Sequence, residues 1–231
     1  MANVIELAQK FIPILDKVYK VASLTAVLDG NPDLAREGAN AGELIIPMLD
    51  MQGLADYDRN GGYINGDVTL KNETVKCNFD RGRMFNIDTM DDLEAASVPM
   101  ANLSGEFIRT KVAPEEDAFR FACYAGKEGI SKVAAGHTLA DGAEAIAAIR
   151  AGVTRMDEDE VDQAERYLFI TPVLLGMIKD LDTTKSREVL EGFAGVIKVP
   201  QSRFYTAIAQ KSGKTGEEAG GYAKAEAAKD I

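Results

Sequence analysis

The chain has 231 residues, 46% hydrophobic and 27% charged, which is the composition of a soluble globular protein with one large domain or two small ones and excludes wholesale disorder. Its 26 Lys+Arg against 37 Asp+Glu leave a net charge of −11 with no basic run, which argues against binding driven by the phosphates of nucleic acid and against specific nucleic-acid recognition. Two cysteines without a C-x-x-C spacing, Cys77 and Cys123, and a single histidine, His137, exclude a disulfide framework and His-pair zinc sites and fit a reduced, intracellular setting. The longest apolar run, Leu168 to Ile178, falls short of the ~18 residues of a membrane span and is broken by Thr171-Pro172, and the opening Met1 to Glu6 has no secretory pattern.

In chain order, Val4, Leu7, Phe11 and Leu15 recur at helical spacing until Pro13 bends or ends the helix, and Asp29-Gly30-Asn31-Pro32 signals a turn. Leu44 to Met48 reads as a short edge strand closed by Pro47. Met51 to Asp88 is rich in Gly, Asn and Asp. Val68 and Leu70 mark one strand, Val75, Cys77 and Phe79 a second, and Lys71 to Thr74 the connection of a hairpin with a polar tip. Leu93, Ala96, Met100, Leu103 and Phe107 form the stripe of a long helix, kinked or started late by Pro99. Pro114 opens a second helix with Glu115, Glu116 and Asp117 in its first turn, where the helix dipole favours anions.

Beyond Gly129, helices and short strands alternate. Leu139 to Val153 reads as an alanine-rich helix, Asp157 to Glu165 as an acidic connection or short helix, Arg166 to Thr171 as a strand and Pro172 to Lys179 as a helix opened by its proline. Ser186 to Glu191 follows as a short helix and Gly195 to Pro200 as a strand. The tail from Lys211 to Ile231 reads as a mobile loop or frayed helix.

Four segments invite a chemical reading, and each has a structural one that outweighs it. His137, with Thr138 or Asp141, suggests acid–base work, but no nucleophile motif accompanies it and a loop histidine before a capped helix is preferred. Ser212-Gly213-Lys214-Thr215-Gly216 resembles the end of a phosphate loop, yet Ile208 stands where the motif requires glycine. A calcium loop starting at Asp56 has Gly61 at its sixth position but Asp67 where a glutamate belongs, between flanks that read as extended. Asp157-Glu158-Asp159-Glu160 is a conceivable metal cluster and more simply a solvated acidic face. No catalytic, cofactor-binding or metal-ligating residue is assigned, and a structural or binding protein is expected rather than an enzyme.

The order of parts, with Tyr57-Asp58-Arg59-Asn60-Gly61-Gly62-Tyr63, the run from Asp80 to Asp91, Glu106 to Ala118, Arg166 to Pro172 and Val196 to Phe204, resembles the major capsid proteins of tailed phages and prophages over about residues 50 to 212. The resemblance implies an α+β protein with the Hong Kong 97-type capsid fold: an N-terminal arm (1–50), an extended hairpin loop (51–88) overlapping a neighbouring subunit, a peripheral domain with its spine helix (89–129) and a small axial α/β domain (130–231). It implies self-assembly into hexameric and pentameric capsomers of an icosahedral virion shell, put together in the bacterial host cytoplasm. It also implies separate scaffold, portal and head protease proteins as partners, no cofactor and no membrane. Further C-terminal strands common in the family are not expected in this chain, and no cross-linking residue is carried over. An encapsulin-like protein compartment shares the implied fold, and a small α+β enzyme is the alternative of another class.

Overall fold

A computed structural model describes residues 23–30, 36–37, 43–85, 98–131 and 138–231 as a mixed α and β protein. The chain divides into two compact units, residues 28–91 and residues 1–27 with 92–231.

The first unit is built on a nine-residue antiparallel ribbon. Strand β2 (Glu43–Met51) pairs with β3 (Val68–Lys76) in unbroken register from Glu43 opposite Lys76 to Met51 opposite Val68, and β1 (Arg36–Glu37) pairs only with Ile45 and Leu44. This corrects the sequence reading in two places. Val68 to Lys76 is one strand, and Lys71 to Thr74 runs through it instead of turning. The partner is Glu43–Met51, which crosses the boundary drawn at residue 50 between arm and loop. Lys71-Asn72-Glu73-Thr74 contains no glycine for a tight turn, and its charges are tolerated because both faces of the ribbon are open to solvent. Pro47 sits inside β2 and does not close it. The glycine-rich residues between β2 and β3 form the tip. There Asp58 and Gly62 exchange backbone hydrogen bonds of 3.2 and 2.7 Å, and Gly62 holds φ at +79°.

The second unit begins, after its N-terminal segment, with a helical rod. Helix α1 (Val98–Phe107) runs through a π-helical turn, Ile108–Val112, directly into α2 (Ala113–Gly126). Pro114 therefore does not start a separate helix. The wide turn immediately before it, closed by Ala113 N donating to Ile108 O, accommodates a ring that would strike the preceding carbonyl in a regular α-turn. Thr110 Oγ1 caps the loosened Glu106 carbonyl at 2.6 Å. Of the expected stripe, Leu103 and Phe107 are only half-buried, Leu93 lies outside the described residues, and so does the Met100 side chain. The rod's buried face lies further on, at Ala113, Asp117, Ala118 and Phe121.

Helix α3 (Gly142–Glu158) starts where Asp141 accepts from Glu144 N at 2.8 Å and Glu144 answers by accepting from Ala140 N at 2.8 Å. Strand β4 (Tyr167–Ile170), helix α4 (Pro172–Asp180), helix α5 (Thr184–Glu191) and strand β5 (Gly195–Lys198) form a crossover that returns β5 parallel to β4. Pro172 opens α4, and Thr183 with Ser186 forms a reciprocal cap on α5, as the residue types require. One core cluster, Ala145, Ile146, Ile170, Leu175 and Ile178, joins α3 and α4 to β4. A second, Phe121, Val199 and Phe204, ties α2 to the chain beyond β5, with Leu24 and Phe169 packed on it. Phe121 meets Phe169 and Phe204 edge-on at ring separations of 5.4 and 4.9 Å.

The tail is neither a loose loop nor a helix. Strand β6 (Ile208–Gln210) pairs antiparallel with β7 (Tyr222–Lys224), and Thr206 and Lys229 extend the pairing through the Thr206 N to Lys229 O bond of 3.0 Å. Four glycines at positive φ, Gly213, Gly216, Gly220 and Gly221, shape the connection, which is why a glycine-rich composition yields an ordered hairpin here. Tyr222 anchors it by donating to Ser202 O at 2.9 Å, and burial raises its phenol above the ordinary value.

Candidate functional site

His137 lies outside the described residues, Thr138 is exposed, and Asp141 is the helix cap already described. In Ser212 to Gly216 three donors that a phosphate would use are held by the loop's own carboxylates. Glu217 Oε2 accepts from Ser212 N and Oγ at 2.7 and 2.8 Å, and Glu218 Oε1 accepts from Gly216 N at 2.8 Å. The Gly216 bond also holds Glu218 below the usual carboxylate range. In the Asp56 to Asp67 segment, Asp58 folds onto its own turn, accepting from Asn60 N and Gly61 N at 3.1 and 3.0 Å. Among the described residues, no set of His, Cys, Asp and Glu side chains is placed to hold a metal ion.

The acidic stretch that closes α3 and follows it is organised by Arg166. Arg166, whose guanidinium is almost fully buried, donates to Asp157 Oδ1 at 2.6 Å, to Asp162 O at 3.2 Å and to Val161 O. Asp157 is held below its ordinary value chiefly by that Arg166 hydrogen bond. The segment is solvated, as its charge run suggested: Asp157 to Glu165 are all exposed, while Arg166 beneath them takes the Asp157 carboxylate and two backbone carbonyls.

The most densely bonded side chain passed unnoticed in the sequence as a site. Asp117 is fully buried in α2. Its Oδ1 accepts from Ser23 Oγ, Thr25 Oγ1 and Thr25 N at 2.7, 2.7 and 3.2 Å, and its Oδ2 from Leu24 N and Arg203 at 3.0 and 3.1 Å. Arg120 bridges Thr25 Oγ1 at 3.2 Å and Glu116 at 2.9 Å beside it. The sequence reading placed Asp117 in a helical first turn for its charge; continuity of the rod puts it in the interior, where five donors, one of them the Arg203 cation, offset the burial of its carboxylate.

Two surfaces could receive another molecule. The ribbon sets Leu49 opposite Leu70 and Met51 opposite Val68 on one face, all four exposed. The tip adds Leu54, fully exposed, together with Tyr63 and Ile64. Along α3 an open groove of about 810 Å³ has Ala143, Ala147, Ala151 and Leu181 in its lining, with Arg150 and Lys185 among them. Both cysteines are exposed, and partial burial of the Cys123 thiol raises its pKa. Among the described residues, no helix is long and apolar enough to cross a membrane.

No family model, curated protein or solved structure matches the chain.

Proposed function

We propose that the chain is a structural, non-enzymatic shell protein, the major capsid protein of a tailed phage or prophage, with the Hong Kong 97-type fold, destined for the virion. The observation that carries the reading is the ribbon. A two-stranded ribbon is marginal by itself in water, and this one exposes apolar cross-strand pairs, Leu49 with Leu70 and Met51 with Val68, and an apolar tip. Such a surface is a liability unless another chain covers it, and in a self-assembling shell the cover is the next copy. The element order supports the same reading: an extended ribbon, a long helical rod, then a small α/β part with the sequence runs that resemble capsid proteins.

Purified, nuclease-treated protein should sediment as oligomers and show capsomers or shells by negative-stain microscopy. Because the chain carries a net charge of −11, association should persist or strengthen as salt screens the like charges, whereas phosphate-driven binding falls steeply with salt. Tight, salt-sensitive DNA binding by a protein that forms no oligomer of its own would overturn the reading.

A further inference from the structure

We infer that Asp117 is the anchor of a detachable strap, residues 23–25, which sets where the chain is held as it enters the 28–91 unit. Among the described residues, the strap's donors converge on one group: the amides of Leu24 and Thr25 and the hydroxyls of Ser23 and Thr25 all end on the Asp117 carboxylate, and Arg120 adds a bond to Thr25 Oγ1. One apolar side chain, Leu24, adds contact with the second core cluster. The root so held is short, because Val27, two residues beyond Thr25, closes one compact unit and Leu28 opens the other.

The strap can leave without stranding a charge. Arg203 binds Asp117 from outside the strap, at 3.1 Å, and its side chain keeps 20% of its exposure, so the carboxylate stays paired while water replaces the departing donors. Arg120, about as exposed, keeps Glu116 when Thr25 departs. Four donors that share one acceptor group let go together, so the strap has two states, docked and released. The inference stands whether or not the chain builds shells.

The site also demands a carboxylate. An asparagine of the same shape would turn its NH2 either toward Thr25 N and two hydroxyls or toward Leu24 N and Arg203, opposing donors to donors in both orientations. Amide hydrogen exchange of the full chain, read by mass spectrometry, tests this. In Asp117→Asn, peptides over 23–28 should exchange faster by about tenfold or more, while those containing the Leu175 and Val199 amides, bonded within the α4 and β5 region, keep their protection. Unchanged protection over 23–28 overturns the inference. If Asp117→Asn loses protection everywhere, the Ser23→Ala/Thr25→Val double variant decides. Faster exchange confined to 23–28 upholds the strap; wild-type protection there, or loss of protection throughout the chain in this variant as well, overturns it.

Discussion

Gly142 and Met177 meet backbone to backbone: a Cβ on Gly142 would stand 2.4 Å from the Met177 carbonyl oxygen and 3.0 Å from the Leu181 side chain. The first residue of α3 is thereby pressed against α4, and it is this approach that lets Ala145 and Ile146 reach Leu175 and Ile178 in the first core cluster.

Gly142→Ala should therefore destabilise the protein by about 1–3 kcal/mol, because the atom in the way is backbone and cannot swing aside. Gly152→Ala, ten residues along the same helix with nothing within 4 Å, should stabilise by about 0.5–1 kcal/mol. Urea denaturation of the two variants checks the pair. Equal midpoints would mean that α3 and α4 do not pack this way.

Phe121→Ala should cost about 3–5 kcal/mol, since its ring is buried between Phe169 and Phe204. Phe107→Ala, at a half-buried site on the same rod, should cost less, about 1–2 kcal/mol. Equal losses in denaturant melts would restore Phe107 to the core position that helical spacing suggested.

The Arg166–Asp157 pair gives a pH dependence with a definite sign. Asp157 has a folded value below its ordinary 3.8, so on acidification the unfolded chain takes up the proton first. Its stabilisation is complete above the ordinary value and fades as pH falls through the folded one. In Asp157→Asn, thermal midpoints should fall relative to wild type at pH 6 and converge with it as pH falls through the lowered folded value. A difference that stays constant over that range would show that the carboxylate's charge contributes nothing.

The region from α3 to β5 was legible because its signals are local: the alanine-rich run before Val153, Pro172 at the head of α4 and the apolar run from Gly195; the caps at Asp141 and Thr183 set helix starts that spacing alone put at Leu139 and Ser186. What escaped depends on partners distant in sequence. Nothing near Val68 to Lys76 announces that its register belongs to Glu43–Met51, and alternation alone fits two short strands as well as one long one. Asp117 looks like any first-turn acid after Pro114 until Ser23, Leu24 and Thr25, more than 90 residues earlier, are brought to it. The tail's glycines imply disorder by composition, whereas their positive φ values turn the chain so that Gln210 and Tyr222 can pair.

The placement of the two thiols equips the molecule with a built-in pair of attachment points. Cys77 leaves the end of β3 in the 28–91 unit and Cys123 lies on α2 in the other, and the sequence holds no further cysteine. Raised by burial, the Cys123 thiol supplies less thiolate at neutral pH, so a maleimide dye should couple to Cys77 first and a second colour to Cys123 afterwards. Energy transfer between the two dyes then makes the wild-type chain, without engineered residues, its own ruler for motion between its halves.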